Sequence, residues 1–170
     1  MRSFEFNVDI AATPSEVQSV FWDLKSWPSV APHVRAMHVH YDDGVVQVVT
    51  MDVLTRGHET SFKSVRLRGK NSIMYIQPEP PPALTLHKGS WTFLDGSKGT
   101  TVICRHDIEV NTEPARAFLA AANLDVPRGQ VEEVMEQVIR SNSLQTIQAL
   151  KKKVETQRSG DYAAVNLQVA

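Results

Sequence analysis

The stretch that most limits the architecture of this chain lies near its end. Residues Gln130 to Glu155, QVEEVMEQVIRSNSLQTIQALKKKVE, belong to the longest run without Pro or Gly. Val131, Val134, Met135, Val138, Ile139, Ile147, Leu150 and Val154 recur there at helical spacing, so one face is apolar. Such a helix is roughly 39 Å long at 1.5 Å per residue, enough to cross a small domain. Its stripe is interrupted. Asn142, Ser143 and Thr146 fall on or beside it, where a packed core prefers Leu or Ile. A helix apolar at both ends and polar in its middle suits a wall that covers something other than a solid core.

The rest of the chain must supply the opposing surface. Phe4, Phe6, Val8 and Ile10 alternate with polar residues, as in a half-buried strand. Thr13-Pro14-Ser15-Glu16 starts a helix, with Thr as N-cap and Glu reaching back; Val17, Val20, Phe21 and Leu24 face inward, and Trp27-Pro28 ends it. Six strands then follow: Ala36 to Tyr41, Val45 to Leu54, Thr60 to Arg68, Ser72 to Gln77, Leu84 to Leu94 and Thr100 to Val110. Asp42-Asp43-Gly44, Arg56-Gly57-His58, Gly69-Lys70-Asn71, the prolines at 78 and 80 to 82, and the segment Asp95 to Gly99 separate them. A small Ala-rich helix, Ala115 to Leu124, precedes the long one.

This order predicts an α+β fold: a curved seven-stranded antiparallel sheet wrapped around a long C-terminal helix, with the polar gap of the helix facing the sheet. Residues 1–156 read as one domain and 157–170 as a C-terminal tail. A hydrophobic fraction of 42% supports a real core, and a net charge of −1 gives no footprint for nucleic acid or anionic lipid. Cys104 stands alone, so an internal disulfide is excluded. With no apolar leader and no run of about 18 apolar residues, the expected location is the cytoplasm and no membrane contact is expected.

Alternation assigns the faces. Val102, Cys104, His106, Ile108 and Val110 share the apolar, inward face of their strand. The strand Thr60 to Arg68 is ambiguous: if Phe62 points inward, Ser64 and Arg66 do too. A buried Arg66 needs a partner, water or a ligand, because unpaired burial costs several kcal/mol. The alternative is an outward Arg66 paired with Glu59 or Asp107. His106 can equally be a core imidazole, Asn142, Ser143 and Thr146 a solvated flank, and Trp27, Phe62 and Trp91 plain core. His33, His38 and His40 form a His-rich run, but no second pair has ligand spacing, so no metal site is expected.

The order of elements resembles the START or Bet v 1-like superfamily, the helix-grip fold. Three stretches look like the bacterial polyketide aromatase/cyclases within it. The first is Ala12-Thr13-Pro14 through Trp27-Pro28. The second is Phe62-Lys63-Ser64-Val65-Arg66, an aromatic-x-Ser-x-Arg strand. The third runs Gly89-Ser90-Trp91-Thr92-Phe93, Gly99-Thr100-Thr101-Val102 and His106-Asp107-Ile108. Asn142-Ser143-Leu144, Leu150-Lys151 and Glu155 are similar to the family's last helix. The resemblance covers about residues 4 to 156. It implies an acyl-carrier-protein-bound poly-β-ketone that folds in a deep internal pocket and undergoes regiospecific aldol cyclisation and dehydration, without metal or organic cofactor. It maps catalysis to Arg66, Ser64 and His106, and substrate binding to Trp27, Val34, Phe62, Trp91, Asn142 and Thr146. The sequence departs from the family at two places: Asn142 stands near an acidic position of some members, and Val34 where some carry a tyrosine. The state is expected to be a monomer or homodimer. The competing reading is a non-catalytic carrier of a lipid, quinone or other hydrophobic small molecule.

The residue types suit that chemistry. A methylene between two carbonyls is already acidic, so ring closure needs positioning and stabilisation of an enolate or alkoxide more than a strong base. Arg66 offers five donors in a fork, Ser64 a second donor on the same face, and a neutral His106 a proton carrier near pH 7. Asn142 and Thr146 can bond further carbonyls.

Overall fold

The computed structural model describes the backbone of residues 1–168 and the side chains of residues 1–158. Its elements are β1 (Arg2–Ile10), α1 (Pro14–Trp22), a 3-10 turn (Leu24–Ser26), α2 (Trp27–Val30), β2 (Val34–Asp42), β3 (Val46–Thr55), β4 (His58–Arg68), β5 (Ser72–Glu79), β6 (Leu84–Gly96), β7 (Gly99–Val110), α3 (Thr112–Ala121), a second 3-10 turn (Arg128–Gln130) and α4 (Val131–Gln168). The strands form one seven-stranded antiparallel sheet in the order β1-β7-β6-β5-β4-β3-β2. The helix-grip expectation is met: a meander, closed at one edge by the first strand, curves around α4.

Local chemistry explains most boundaries. The Thr13 hydroxyl and the Glu16 carboxylate cap one another's backbone at the start of α1. The β3–β4 turn places Arg56 and Gly57 at φ 50° and 83°, the two-residue geometry that matches strand twist. Three boundaries differ from the sequence reading. α1 stops at Trp22, because the chain turns at Asp23 to bury Leu24 and Trp27. α3 sits three residues earlier, ended by Asn123 at φ 58°, whose left-handed backbone lets Leu124 fold back and bond the Leu119 carbonyl. α4 continues past Glu155 to Gln168. Most of the segment read as a tail is therefore helical in its backbone, while residues 169–170 lie outside the described residues. No helix among the described residues is long and apolar enough to cross a membrane.

The core is split, and the split tracks the helix stripe. Ile147, Leu150 and Val154 of α4 pack with Val17, Phe21, Leu24, Trp27, Phe93 and Val102 at one end. Val131, Met135 and Val138 pack with Ala83, Ala115 and Leu119 at the other. Asn142, Ser143 and Thr146 lie between these clusters and face a cavity of about 290 Å³.

Gly89 sets the sheet geometry beneath that cavity. It pairs with Tyr75 of β5 on one side and His106 of β7 on the other. A Cβ here would strike the Arg105 carbonyl and would come within 2.5 Å of the Tyr75 hydroxyl. The missing side chain lets the Tyr75 ring lean across β6. Gly89→Ala should therefore lower stability by about 1–3 kcal/mol, read from the urea midpoint at constant m-value. A smaller loss would mean that Tyr75 moves aside freely.

Candidate active site

One rung of the sheet carries the site. Cross-strand partners share a face, and the rung runs Gln47–Arg66–Tyr75–Gly89–His106–Phe4 across six strands. Arg66, Tyr75 and His106 line the cavity, together with Phe21, Trp27, His33, Phe62, Ser64, Gln77, His87 and Trp91. From α4 come Asn142, Ser143 and Thr146. The walls are otherwise mostly apolar.

Arg66 is buried, with 2% of its surface exposed. Neither Glu59 nor Asp107 is its partner, so the outward alternative is overturned. Its Nη1 donates to Gln47 Oε1 at 2.7 Å and its Nη2 to the Phe21 carbonyl at 2.6 Å. Gln47 Nε2 donates in turn to the Trp22 carbonyl and to Asp42 Oδ2 at 2.9 Å. The nearest countercharge therefore reaches Arg66 through a neutral amide. Trp22, Trp27 and Trp91 present ring faces 5.3–5.5 Å from the guanidinium carbon. Burial pulls the Arg66 pKa down to about 9, opposed first by Asp42, so the group stays cationic at neutral pH. Its Nε has no partner, and neither has the Trp27 indole nitrogen. Both are buried donors on the cavity wall. Ser64 lies two residues away, its hydroxyl 3.5 Å from the Ile76 carbonyl.

A second polar group forms around His106. Its Nδ1 is 2.8 Å from the Tyr75 hydroxyl and 3.0 Å from His87 Nε2; its Nε2 is 3.0 Å from the Ser143 hydroxyl. Phe4 stacks on the imidazole at 4.8 Å. Burial, then His87 and Arg140, push the His106 pKa down to about 3, against a weaker pull from Asp107. Burial alone takes His87 to about 4. Both imidazoles are neutral at pH 7. Burial also raises the Tyr75 pKa well above the usual phenol range, so Tyr75 is a phenol and a donor.

At the helix, Asn142 Nδ2 donates to Thr55 Oγ1 at 3.3 Å. The Thr146 hydroxyl donates to the Asn142 carbonyl, so it must accept from His33 Nε2 at 2.8 Å. His33 is thus the Nε2–H tautomer, with an unpaired Nδ1 on the cavity wall.

Eight of the nine expected site residues line the cavity: Arg66, Ser64, His106, Trp27, Phe62, Trp91, Asn142 and Thr146. Val34 does not. It packs in the core with 3% exposure, and the neighbouring His33 takes the cavity position. The reason is that β2 begins at Val34 and the turn before it carries His33 inward. The His-rich run divides accordingly: His38 and His40 sit outside, on Asp52 and Thr50. No metal-binding cluster occurs among the described residues. Sequence reasoning missed Tyr75, His87, Gln47, His33 and Gln77. Turn arithmetic finds two of them. The centre of the Arg56-Gly57 turn pairs Gln47 with Arg66, and the centre of Gly69 to Ser72 pairs Arg66 with Tyr75. Gln77 faces in at an irregularity opposite Ser64, where the β4–β5 register shifts.

A curved sheet closed by one helix over a largely apolar cavity with a few convergent polar groups defines a domain that encloses a small molecule. Comparison with known proteins narrows the class. Residues 10–138 match the family described as polyketide cyclase / dehydrase and lipid transport, and the chain belongs to that family. It is 34% identical over 102 residues to the actinorhodin polyketide synthase bifunctional cyclase/dehydratase of Streptomyces coelicolor, covering 53% of this chain and 30% of that protein. Among solved structures it resembles the di-domain aromatase/cyclase BexL from the BE-7585A biosynthetic pathway. That match has a TM-score of 0.78 and 27% identity over 91% of this chain and 50% of the other. The ZhuI aromatase/cyclase from Streptomyces sp. R1128 shares the fold, with a TM-score of 0.77 and 22% identity over 91% of this chain and 93% of that one. The chain spans about a third of the curated relative and half of the di-domain structure.

Two outcomes follow from the electrostatics. Gln47→Leu leaves a buried cation without its side-chain acceptor and should cost about 3 kcal/mol in urea unfolding. A loss below about 1 kcal/mol would mean that Arg66 recruits another partner without cost. The histidines make the protein acid-labile. Their folded pKa values lie below the unfolded value of about 6.5, so the unfolded chain binds protons first as pH falls. Stability should be full above about pH 7.5 and fall by about 1–2 kcal/mol per histidine as the pH drops from 7 to 5. Denaturation midpoints across that range check it, and His87→Gln should flatten the dependence.

Proposed function

We propose that this chain is a polyketide aromatase/cyclase. It takes a poly-β-ketone tethered to an acyl carrier protein, folds it in the cavity, and directs regiospecific aldol ring closure followed by dehydration to an aromatic ring. Residues 1–156 are the catalytic unit, and it works in the cytoplasm. Family membership supports the reaction class. The observation that carries the reading is Arg66: a buried cation on an apolar cavity wall, with one donor left unpaired. A reaction that develops negative charge on oxygen gains from such a group, whereas a purely apolar ligand has no atom to engage it.

The chemistry divides as follows. Arg66 and Trp27, each with an unpaired N–H and each lining the cavity, bind the carbonyl oxygen that becomes an enolate. Ser64 steadies a second oxygen of the same 1,3-dicarbonyl. No metal or organic cofactor is required, because two flanking carbonyls already acidify the methylene and the fixed cation stabilises its anion in a water-poor site. Trp27, Phe62 and Trp91 limit how the chain curls, and Asn142 and Thr146 engage carbonyls further along. Orientation by these walls selects which carbons meet.

Reconstitution with a minimal polyketide synthase tests the proposal. The protein should replace the mixture of shunt products with one directed aromatic product; an unchanged product spectrum overturns the reading. Arg66→Ala should keep its circular dichroism spectrum and lose directed cyclisation by about 10²–10³-fold. Unchanged product ratios in that variant would remove Arg66 from the mechanism.

A further inference from the structure

We infer that Tyr75 is the proton donor of this site and that the paired imidazoles of His87 and His106 recharge it. The inference rests on the cyclase reading and extends it to Tyr75 and His87, which the motif resemblance does not reach.

The geometry is that of a relay. Tyr75, His87 and His106 come from three adjacent strands, and all three line the cavity. Three polar atoms meet at one point: the Tyr75 hydroxyl, His87 Nε2 and His106 Nδ1, separated by 2.8, 3.0 and 3.5 Å. Two neutral imidazoles with facing nitrogens need one proton between them. If His106 Nδ1 carries it, His87 Nε2 presents a lone pair, His106 Nε2 accepts from Ser143, and the Tyr75 hydroxyl is free to donate into the cavity. If His87 Nε2 carries it instead, His106 Nδ1 accepts it and His106 Nε2 becomes the donor to Ser143. The two patterns differ by protons moved along Ser143–His106–His87, with no change in heavy-atom positions. Asn142, on the helix wall, is a neutral amide engaged with Thr55. No carboxylate lines the cavity among the described residues, so proton handling falls to this cluster.

The proton inventory closes. In cyclisation the imidazole pair takes a proton from the methylene, and the carbanion forms a C–C bond to the ketone carbon. The C=O π bond breaks, and the alkoxide oxygen takes the Tyr75 proton. The imidazolium then returns a proton to the phenolate, so the step is a net isomerisation. In dehydration the pair takes the next α-proton, a C=C bond forms, and the C–O bond breaks. The departing hydroxide takes the Tyr75 proton and leaves as water. Again the imidazolium restores the phenol.

The test is kinetic, in the same reconstituted system with the full chain. Tyr75→Phe keeps the ring over Gly89 and removes only the hydroxyl. Its kcat should fall by about 10²-fold or more, with KM within about twofold. As a second arm, 3-fluorotyrosine at position 75 keeps the shape and makes the phenol more acidic. It should change kcat and its solvent isotope effect while leaving KM alone, which a packing role would not do. If the parent protein redirects the product spectrum and both variants retain its kcat, the relay is wrong and the cyclase reading stands. If the parent leaves the shunt products unchanged, the cyclase reading falls and the relay with it.

Discussion

The buried guanidinium of Arg66 is the constraint around which the rest is arranged. A cation of that size leaves water only if its hydrogens and its field are met elsewhere. Here the Phe21 carbonyl at the end of α1, the Gln47 amide and three tryptophan faces do so, and Asp42 contributes from beyond the amide. The partners come from α1, α2, β2, β3 and β6, so these elements must all be in place at once. This explains why α1 ends at Trp22 rather than running to Trp27. The chain needs the Phe21 carbonyl free, and needs Trp27 turned toward the cavity.

Much of this was legible in the chain itself. The order of strands and helices, the split stripe of α4 and the inward face of β7 all follow from periodicity. They put His106 on the inward face of its strand and Asn142 and Thr146 on or beside the stripe of α4, but left open whether these side chains meet core, solvent or a cavity. The motif Phe62-x-Ser64-x-Arg66 resolved a strand that hydropathy left open. What stayed hidden has a common cause. Along β5, Met74 and Ile76 are apolar yet 51% and 44% exposed, so both faces read as core and Tyr75 and Gln77 could not be assigned. Along β3, Val46 and Val48 face outward while Gln47 is buried, which inverts the usual rule. Register carries that information, and register comes from turn centres rather than from composition. Val34 failed for a related reason: it opens a strand, where one residue of offset exchanges it with His33.

The packing of the two ends of α4 into separate clusters gives the site its character. Each end of α4 is anchored by apolar packing, so the middle of the helix is held in place without filling the space beneath it. Stability and an open interior are therefore supplied by different residues of one element. The polar side chains over the cavity bond mainly to one another and to the sheet, which fixes the positions of their polar atoms before any ligand arrives.

The single rung that holds Arg66, Tyr75, Gly89 and His106 also orders the folding of the site. Those four residues are joined by consecutive hairpins, whose short loops close at little entropic cost. Phe4 and Ser143 arrive from the two ends of the chain, across far longer separations. The groups that take Arg66 out of water, the Phe21 carbonyl and the Trp22 and Trp27 rings, come from α1 and α2, which precede the meander in the chain. Register and desolvation of the guanidinium thus depend on different parts of the sequence.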